Sequence, residues 1–135
     1  MDEVTIISYP GGSDDVLLSL TQDRSRYLLP FGGRYRVVDF TVRNSFAADA
    51  RRTIIFSNME DGLDEYLSAY GDFKNEKFPR LKVVASANQD IELLYKLILD
   101  SNTSLYVFYN GDNPSIIDFE NIVNRFRKTR KHALL

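Results

Sequence analysis

The sequence contains no cysteine and only one histidine in 135 residues. Without cysteine, neither disulfides nor thiolate metal sites can form, and the expected location is a reducing cytoplasm. The single histidine, His132, lies in a basic tail. Catalytic triads that depend on histidine and metal sites built from several histidines are therefore excluded.

Strong charge and long hydrophobic runs are also missing. The formal net charge is −2, which gives no reason to expect nucleic-acid binding. The longest apolar runs are far too short for a membrane span, and the acidic opening Met1-Asp2-Glu3 predicts no signal peptide. Neither the Walker A pattern nor the G-x-G-x-x-G dinucleotide fingerprint occurs. The length allows one domain with a single modest core.

Short apolar runs alternate with segments of helical periodicity along the chain. The runs predict buried strands at residues 4–8, 53–56, 81–85 and 105–109. The periodic segments predict helices at residues 37–48, 61–70 and 90–100, and a further helix that Pro114 opens at its first position. We therefore expect an α/β fold, mostly a parallel sheet with helices on both faces. Ligands bind such sheets beyond the carboxyl ends of the strands, here the loops 8–16, 56–61, 85–89 and 110–114.

One long segment resembles a known family. It reads Pro30-Phe31-Gly32-Gly33-Arg34-Tyr35-Arg36-Val37-Val38-Asp39-Phe40, followed by Asn44 and Arg51-Arg52. The segment is similar to P-F-G-G-K-Y-R-I-I-D-F…N…R-R in the ADP-glucose pyrophosphorylases, or glucose-1-phosphate adenylyltransferases. The order of the flanking elements agrees, because Gly11-Gly12 precedes the segment and Gly111-Asp112 ends a later apolar strand, as in that family.

The resemblance implies a Rossmann-like nucleotidyltransferase fold, with residues 1–135 as the N-terminal portion of that domain. In the family, ATP and glucose 1-phosphate react with Mg²⁺ to give ADP-glucose and pyrophosphate for glycogen or starch synthesis. The family's C-terminal β-helix domain would be absent, and the sheet would be incomplete. An incomplete sheet exposes an edge strand or an apolar face, so self-association is expected.

Five candidate site residues follow from the same resemblance. Gly11 and Gly12 match a loop whose backbone approaches the nucleotide, and Arg24 and Arg26 match a cationic segment that the family writes R-A-K-P. Asp112 matches an aspartate that helps to hold Mg²⁺. Each also has a structural alternative, since the arginines suit a solvated loop and Asp112 or Asn113 suits a helix cap after a Gly111 turn.

The chain departs from the family at two places. The family's first loop reads G-G-x-G-T-R-L, whereas here Asp14, Asp15 and Val16 replace its third glycine, threonine and arginine. Two unit charges of like sign at about 5 Å and an effective dielectric near 20 repel by about 3 kcal/mol, so these carboxylates oppose triphosphate binding. A G-T-A-D-A-like turn of the family is also replaced, by Ser86-Ala87-Asn88-Gln89-Asp90.

Three functional hypotheses remain. The first is a catalytically silent homologue that acts as a regulatory or assembly subunit in a homo- or hetero-oligomer with a catalytic pyrophosphorylase subunit. The second is an active glucose-1-phosphate adenylyltransferase that uses Arg24, Arg26 and Asp112 with ATP, glucose 1-phosphate and Mg²⁺. The third is a scaffolding domain without nucleotide chemistry. No nucleic-acid or membrane partner is expected under any of them.

Overall fold

A computed structural model describes residues 4–9, 20, 25–57, 62–68, 81–85, 91–129 and 131–133. The strands are β1 (Val4–Tyr9), β2 (Pro30–Phe31), β3 (Tyr35–Arg36), β4 (Arg52–Ser57), β5 (Leu81–Ala85) and β6 (Leu105–Asn110). The helices are α1 (Val37–Ala47), α2 (Leu63–Ser68), α3 (Ile91–Ser101) and α4 (Phe119–Thr129), with a short 3-10 helix at Arg26–Leu28. Within this described part, no helix is both long and apolar enough to cross a membrane.

The main sheet confirms the predicted parallel α/β architecture. Its strand order is β5-β4-β1-β6, and every neighbouring pair is parallel. The chain runs from β1 outward through β4 to β5, then crosses to the other side of β1 to form β6. The direction of winding therefore reverses between β1 and β6. In open parallel sheets, this topological switch point is where ligands bind.

Hydrophobic clusters cover both faces of the sheet, because alternate residues of a strand point to opposite sides. On one face, Val4 and Ile6 pack with the start of α4, and Ile55 packs with α1 and α2. On the other face, Ile7, Ile54 and Phe56 pack against α3. The Rossmann-like arrangement that the resemblance implies is thus present in the described residues.

Apolar side chains remain exposed on the α3 side of the sheet. Ile91, Tyr95 and Leu99 follow one another at four-residue spacing along α3, and Phe108 faces outward from β6. Among the strands that the structure describes, β6 forms an edge. An exposed edge strand and exposed apolar side chains are the features from which self-association is predicted. Self-association itself stays a prediction.

The structure corrects the predicted start of the last helix. Residues 114–118 are not helical, and α4 begins at Phe119. The Asp118 carboxylate accepts a hydrogen bond from the Asn121 N–H at 2.9 Å, which is the geometry of an N-cap. The N-cap of α4 is therefore Asp118 and not Asp112 or Asn113. Ile116, which the predicted helix would have included, is largely exposed in the preceding loop.

The family-like segment folds into the β2–β3 hairpin and the first turn of α1. Gly32 and Gly33 make its turn with φ values of 61° and 79°, a region that disfavours other residues. The Asp39 carboxylate accepts a hydrogen bond from the Arg36 N–H at 2.6 Å and so stabilises the start of α1. The Arg36 guanidinium in turn donates to the Leu28 carbonyl at 3.1 Å.

Asp39 also ties α1 to α2. The Tyr66 hydroxyl donates to its carboxylate at 3.0 Å. Burial, together with this hydrogen bond to a negative group, raises the pKa of Tyr66 to about 12. The most family-like stretch of the chain is therefore engaged in fixing local structure.

Candidate functional site

The switch-point crevice lies between the carboxyl ends of β1 and β6. Ser8 and Tyr109 pair in register there, one residue before each of these strands ends. Gly111 and Asp112 follow β6 directly, and the helical turn at Arg26–Leu28 packs alongside. The parallel sheet thus gathers residues from three distant parts of the sequence at the edge where ligands of such folds bind.

Two of the candidate site residues form an ion pair in this crevice. The Arg26 Nη1 lies 3.6 Å from the Asp112 Oδ2. The Asp112 side chain is 0% exposed and the Arg26 side chain 17% exposed, so the pair is shielded from water on the carboxylate side. At 3.6 Å the contact is coulombic rather than a short charge-assisted hydrogen bond, which would bring the atoms within about 2.9 Å.

A buried hydroxyl pair supports the Arg26 side of this contact. Tyr27 is fully buried, and its hydroxyl lies 2.7 Å from the Ser8 Oγ. Because Tyr27 follows Arg26 directly, its burial fixes the turn from which the guanidinium extends. Burial raises the pKa of Tyr27 far above its ordinary value, although the Ser8 hydrogen bond lowers it in part. Tyr27 is therefore neutral in the folded protein.

Gly111 supports the Asp112 side by allowing a close approach of the backbone. A Cβ at this position would collide with the Ser8 Oγ and would lie 2.7 Å from the Thr41 Oγ1. The Thr41 hydroxyl donates to the Gly111 carbonyl at 3.2 Å. The same Ser8 side chain thus contacts both the Tyr27 hydroxyl and the turn before Asp112.

Asn44 fastens the loop that leaves the crevice. Its Nδ2 donates to the Ser115 carbonyl at 2.9 Å, and its Oδ1 accepts from the Ile117 N–H at 3.1 Å. A side-chain amide that both donates to and accepts from one loop replaces the hydrogen bonds a helix would supply. This contact explains why residues 114–118 are held away from helical geometry.

Two buried tyrosines near the crevice differ in hydrogen bonding. Burial raises the pKa of Tyr109 to about 12, and the nearby Thr41 and Ser8 hydroxyls lower it only in part. Its hydroxyl makes no contact of hydrogen-bonding geometry with the described residues, whereas the Tyr27 hydroxyl makes a short one. The ring of Tyr109 packs edge-on against Phe119 at 4.9 Å.

This difference predicts unequal costs for two conservative substitutions. Tyr27→Phe removes the partner of a buried Ser8 hydroxyl and should lower the free energy of unfolding by about 1–2 kcal/mol. Tyr109→Phe removes a hydroxyl without such a partner and should change it by less than about 0.5 kcal/mol. Urea unfolding followed by circular dichroism measures both. Equal losses in the two variants would contradict this account of the crevice.

The candidate residues are only partly within the described structure. Gly11, Gly12 and Arg24 lie outside the described residues, as do Asp14, Asp15, Val16 and the segment 86–90. Arg26 and Asp112 are described and lie together. Ser8, Tyr27 and Thr41 were not predicted as part of the site. A signal for one of them existed, because Tyr27 stands where the family pattern R-A-K-P has proline.

Comparison with known proteins points to one family. No protein-family model matches the chain. Glucose-1-phosphate adenylyltransferase 2 of Vibrio vulnificus (strain YJ016) is 25% identical over 91 residues, which cover 61% of this chain and 22% of that protein. The Vibrio cholerae protein of the same name is 35% identical over 57 residues, covering 42% of this chain and 14% of that protein.

A longer match extends over nearly the whole chain. The glucose-1-phosphate adenylyltransferase of Bifidobacterium animalis subsp. lactis (strain AD011) is 24% identical over 136 aligned residues, covering 91% of this chain and 32% of that protein. The chain therefore spans about a third or less of the length of these relatives. The repeated matches, together with the Rossmann-like sheet, support a distant relationship between this chain and the glucose-1-phosphate adenylyltransferases.

Proposed function

We propose that this chain is a nucleotidyltransferase-like domain of an ADP-glucose pyrophosphorylase homologue that no longer transfers nucleotides and acts as a regulatory or assembly subunit. The observation that carries the proposal is the ion pair between Arg26 and Asp112. These are the two described residues that would face phosphate and metal in an active member. In this chain each has the other as a charged neighbour within 3.6 Å.

Catalysis of phosphoryl chemistry depends on cations placed in advance around the reacting phosphate. A guanidinium that already neutralises a buried carboxylate must leave that carboxylate before it can serve a phosphate fully. Leaving would strand the Asp112 charge in a site from which water is excluded, and this is costly. The pairing therefore opposes nucleotidyl transfer. The replacement of the family's arginine by Val16 opposes it as well, because it removes a further cation.

Mg²⁺, the cofactor that the family implies, fits the described crevice poorly. Mg²⁺ needs near-octahedral oxygen coordination and usually keeps several waters. Asp112 is wholly buried beside a cation, and no group of three or more acidic or histidine side chains gathers anywhere in the described ranges. The proposed role accordingly assigns no step to the metal.

Activity of the purified chain is the first test. With ATP, glucose 1-phosphate and Mg²⁺, we expect no pyrophosphate release above a protein-free control. Release that depends on glucose 1-phosphate would overturn the proposal and support an active enzyme with an unusual loop. A triple variant, Asp14→Gly, Asp15→Thr and Val16→Arg, measures whether the loop alone accounts for inactivity. We expect it to remain inactive, because Arg26 and Asp112 stay paired.

Assembly is the second test. Mixed with the active glucose-1-phosphate adenylyltransferase of its own organism, the chain should co-elute in size exclusion and alter the activation of that enzyme. Independent elution with unchanged kinetics would contradict a regulatory role. Calorimetry with ATP, ADP-glucose and glucose 1-phosphate tests the scaffolding hypothesis. That hypothesis requires that none of these ligands binds, so measurable binding of any of them would exclude it.

A further inference from the structure

From the crevice geometry we infer that the Arg26 guanidinium takes the place of a divalent cation at Asp112, so that this carboxylate is neutralised from within the chain and does not bind Mg²⁺. The inference deepens the proposed function and rests on the same pair of residues. It makes a separate claim, however, because it concerns metal binding by the folded protein and is independent of turnover.

The charges and burial around Asp112 support this substitution. A buried carboxylate requires a compensating positive charge, and Arg26 supplies one at 3.6 Å. A divalent ion brought to the same carboxylate would stand next to the guanidinium and be repelled by it. It would also have to reach an oxygen on a side chain that is 0% exposed. The carboxylate thus has a cationic neighbour at its Oδ2 and is enclosed.

The anchoring of the two partners is the second support. Tyr27 is fixed by burial and by its contact with Ser8 at 2.7 Å, so the turn that begins at Arg26 cannot easily withdraw. Gly111 is fixed against Ser8 and Thr41, so Asp112 cannot easily swing outward. One side chain, Ser8, therefore braces both ends of the ion pair. A pair held from both sides is arranged in advance and needs no metal to order it.

Two neighbouring departures from the family pattern also favour a fixed cation beside Asp112. Lysine and proline in R-A-K-P correspond to Arg26 and Tyr27 here. A guanidinium keeps its charge at all ordinary pH values. Unlike the ammonium of lysine, it also presents a planar fork of donors to a carboxylate. Tyrosine adds the buried hydroxyl that proline lacks. The first change keeps the positive charge on a planar guanidinium, and the second holds it in position.

Manganese provides a direct test, because bound and free Mn²⁺ differ in their electron paramagnetic resonance signal. In the wild-type chain we expect no Mn²⁺ binding at Asp112, so Asp112→Asn should leave the Mn²⁺ signal unchanged. Added Mn²⁺ or Mg²⁺ should not change the Tm of the wild-type chain. Arg26→Ala should lower the Tm, and Mn²⁺ should raise it again in a dose-dependent way. The double variant Arg26→Ala with Asp112→Asn should lose that response to metal. Arg125→Ala, which removes an exposed arginine of α4, is the matched control and should behave as wild type.

Wild-type Mn²⁺ binding that depends on Asp112 would overturn the inference, and so would an Arg26→Ala variant that folds without responding to metal. If Arg26→Ala does not fold, Arg26→Gln removes the charge but retains more of the side-chain volume, and it takes the place of Arg26→Ala in the same comparison. The two proposals fail separately. Pyrophosphate release without Asp112-dependent Mn²⁺ binding would contradict the proposed function alone, whereas Mn²⁺ binding without release would contradict this inference alone.

Discussion

Gly111→Ala should be among the most destabilising single-methyl changes in this protein, with a loss of about 3 kcal/mol in the free energy of unfolding. The added Cβ would collide with the Ser8 Oγ and lie 2.7 Å from the Thr41 Oγ1 and 3.0 Å from the Ser8 Cβ. These atoms belong to a buried strand and a buried helix position, so neither can move aside without disturbing the sheet. Urea unfolding of the purified variant measures the loss.

Gly62→Ala is the matched control for this change. Gly62 has a φ of 82°, but its added Cβ would meet no atom within 4 Å. The control should cost about 1 kcal/mol, from backbone strain alone. In a Ser8→Ala background the worst contact of Gly111→Ala is removed, so the two changes should be less than additive by about 1 kcal/mol. Strict additivity would show that Ser8 is not the residue that requires glycine here.

Asn44→Ala should lower the free energy of unfolding by about 2–3 kcal/mol. The amide is 2% exposed and makes one hydrogen bond as donor to Ser115 and one as acceptor from Ile117. Alanine leaves both backbone groups without these partners and removes the contact that holds residues 114–118 out of helical geometry. Loss of amide-exchange protection at Ile117, measured by NMR, should accompany the loss of stability.

An exposed asparagine offers the comparison for Asn44. Asn121 lies on the surface of α4, and Asn121→Ala should change stability by less than about 0.5 kcal/mol. A similar cost for the two substitutions would mean that the Asn44 hydrogen bonds are replaced by water without penalty. In that case the loop after the crevice would owe its shape to another contact.

The sheet could be predicted from sequence because its signal is local. Buried parallel strands are continuous apolar runs, and β1 and β5 occur where those runs predict them. The start of α4 could not be predicted in the same way. Pro114 has a strong preference for the first helical position, but the Asn44 contacts and the Asp118 cap determine where the helix begins. The tertiary hydrogen bonds of Asn44, together with the local Asp118 cap, thus override the preference of Pro114.

The candidate site was predictable only as separate residues. The resemblance identified Arg26 and Asp112 individually, one as a phosphate-facing cation and the other as a metal ligand. Their pairing requires the strand order β5-β4-β1-β6, which brings the turn at Arg26 and the end of β6 to the same crevice. The buried hydroxyls of Ser8 and Tyr27 gave no local signal of a shared role, because a hydroxyl in a strand or turn has many ordinary explanations.

The hairpin and first helical turn formed by residues 30–40 have a consequence for how activities are inferred across genomes. Gly32, Gly33, Arg36 and Asp39 are retained in the family-like pattern and are engaged in a turn, a carbonyl contact and a helix start. Selection for folding alone is enough to preserve such a signature after catalysis has been lost. A gene identified by this segment therefore encodes the scaffold, and assigning turnover to it requires the residues that follow β1 in the sequence.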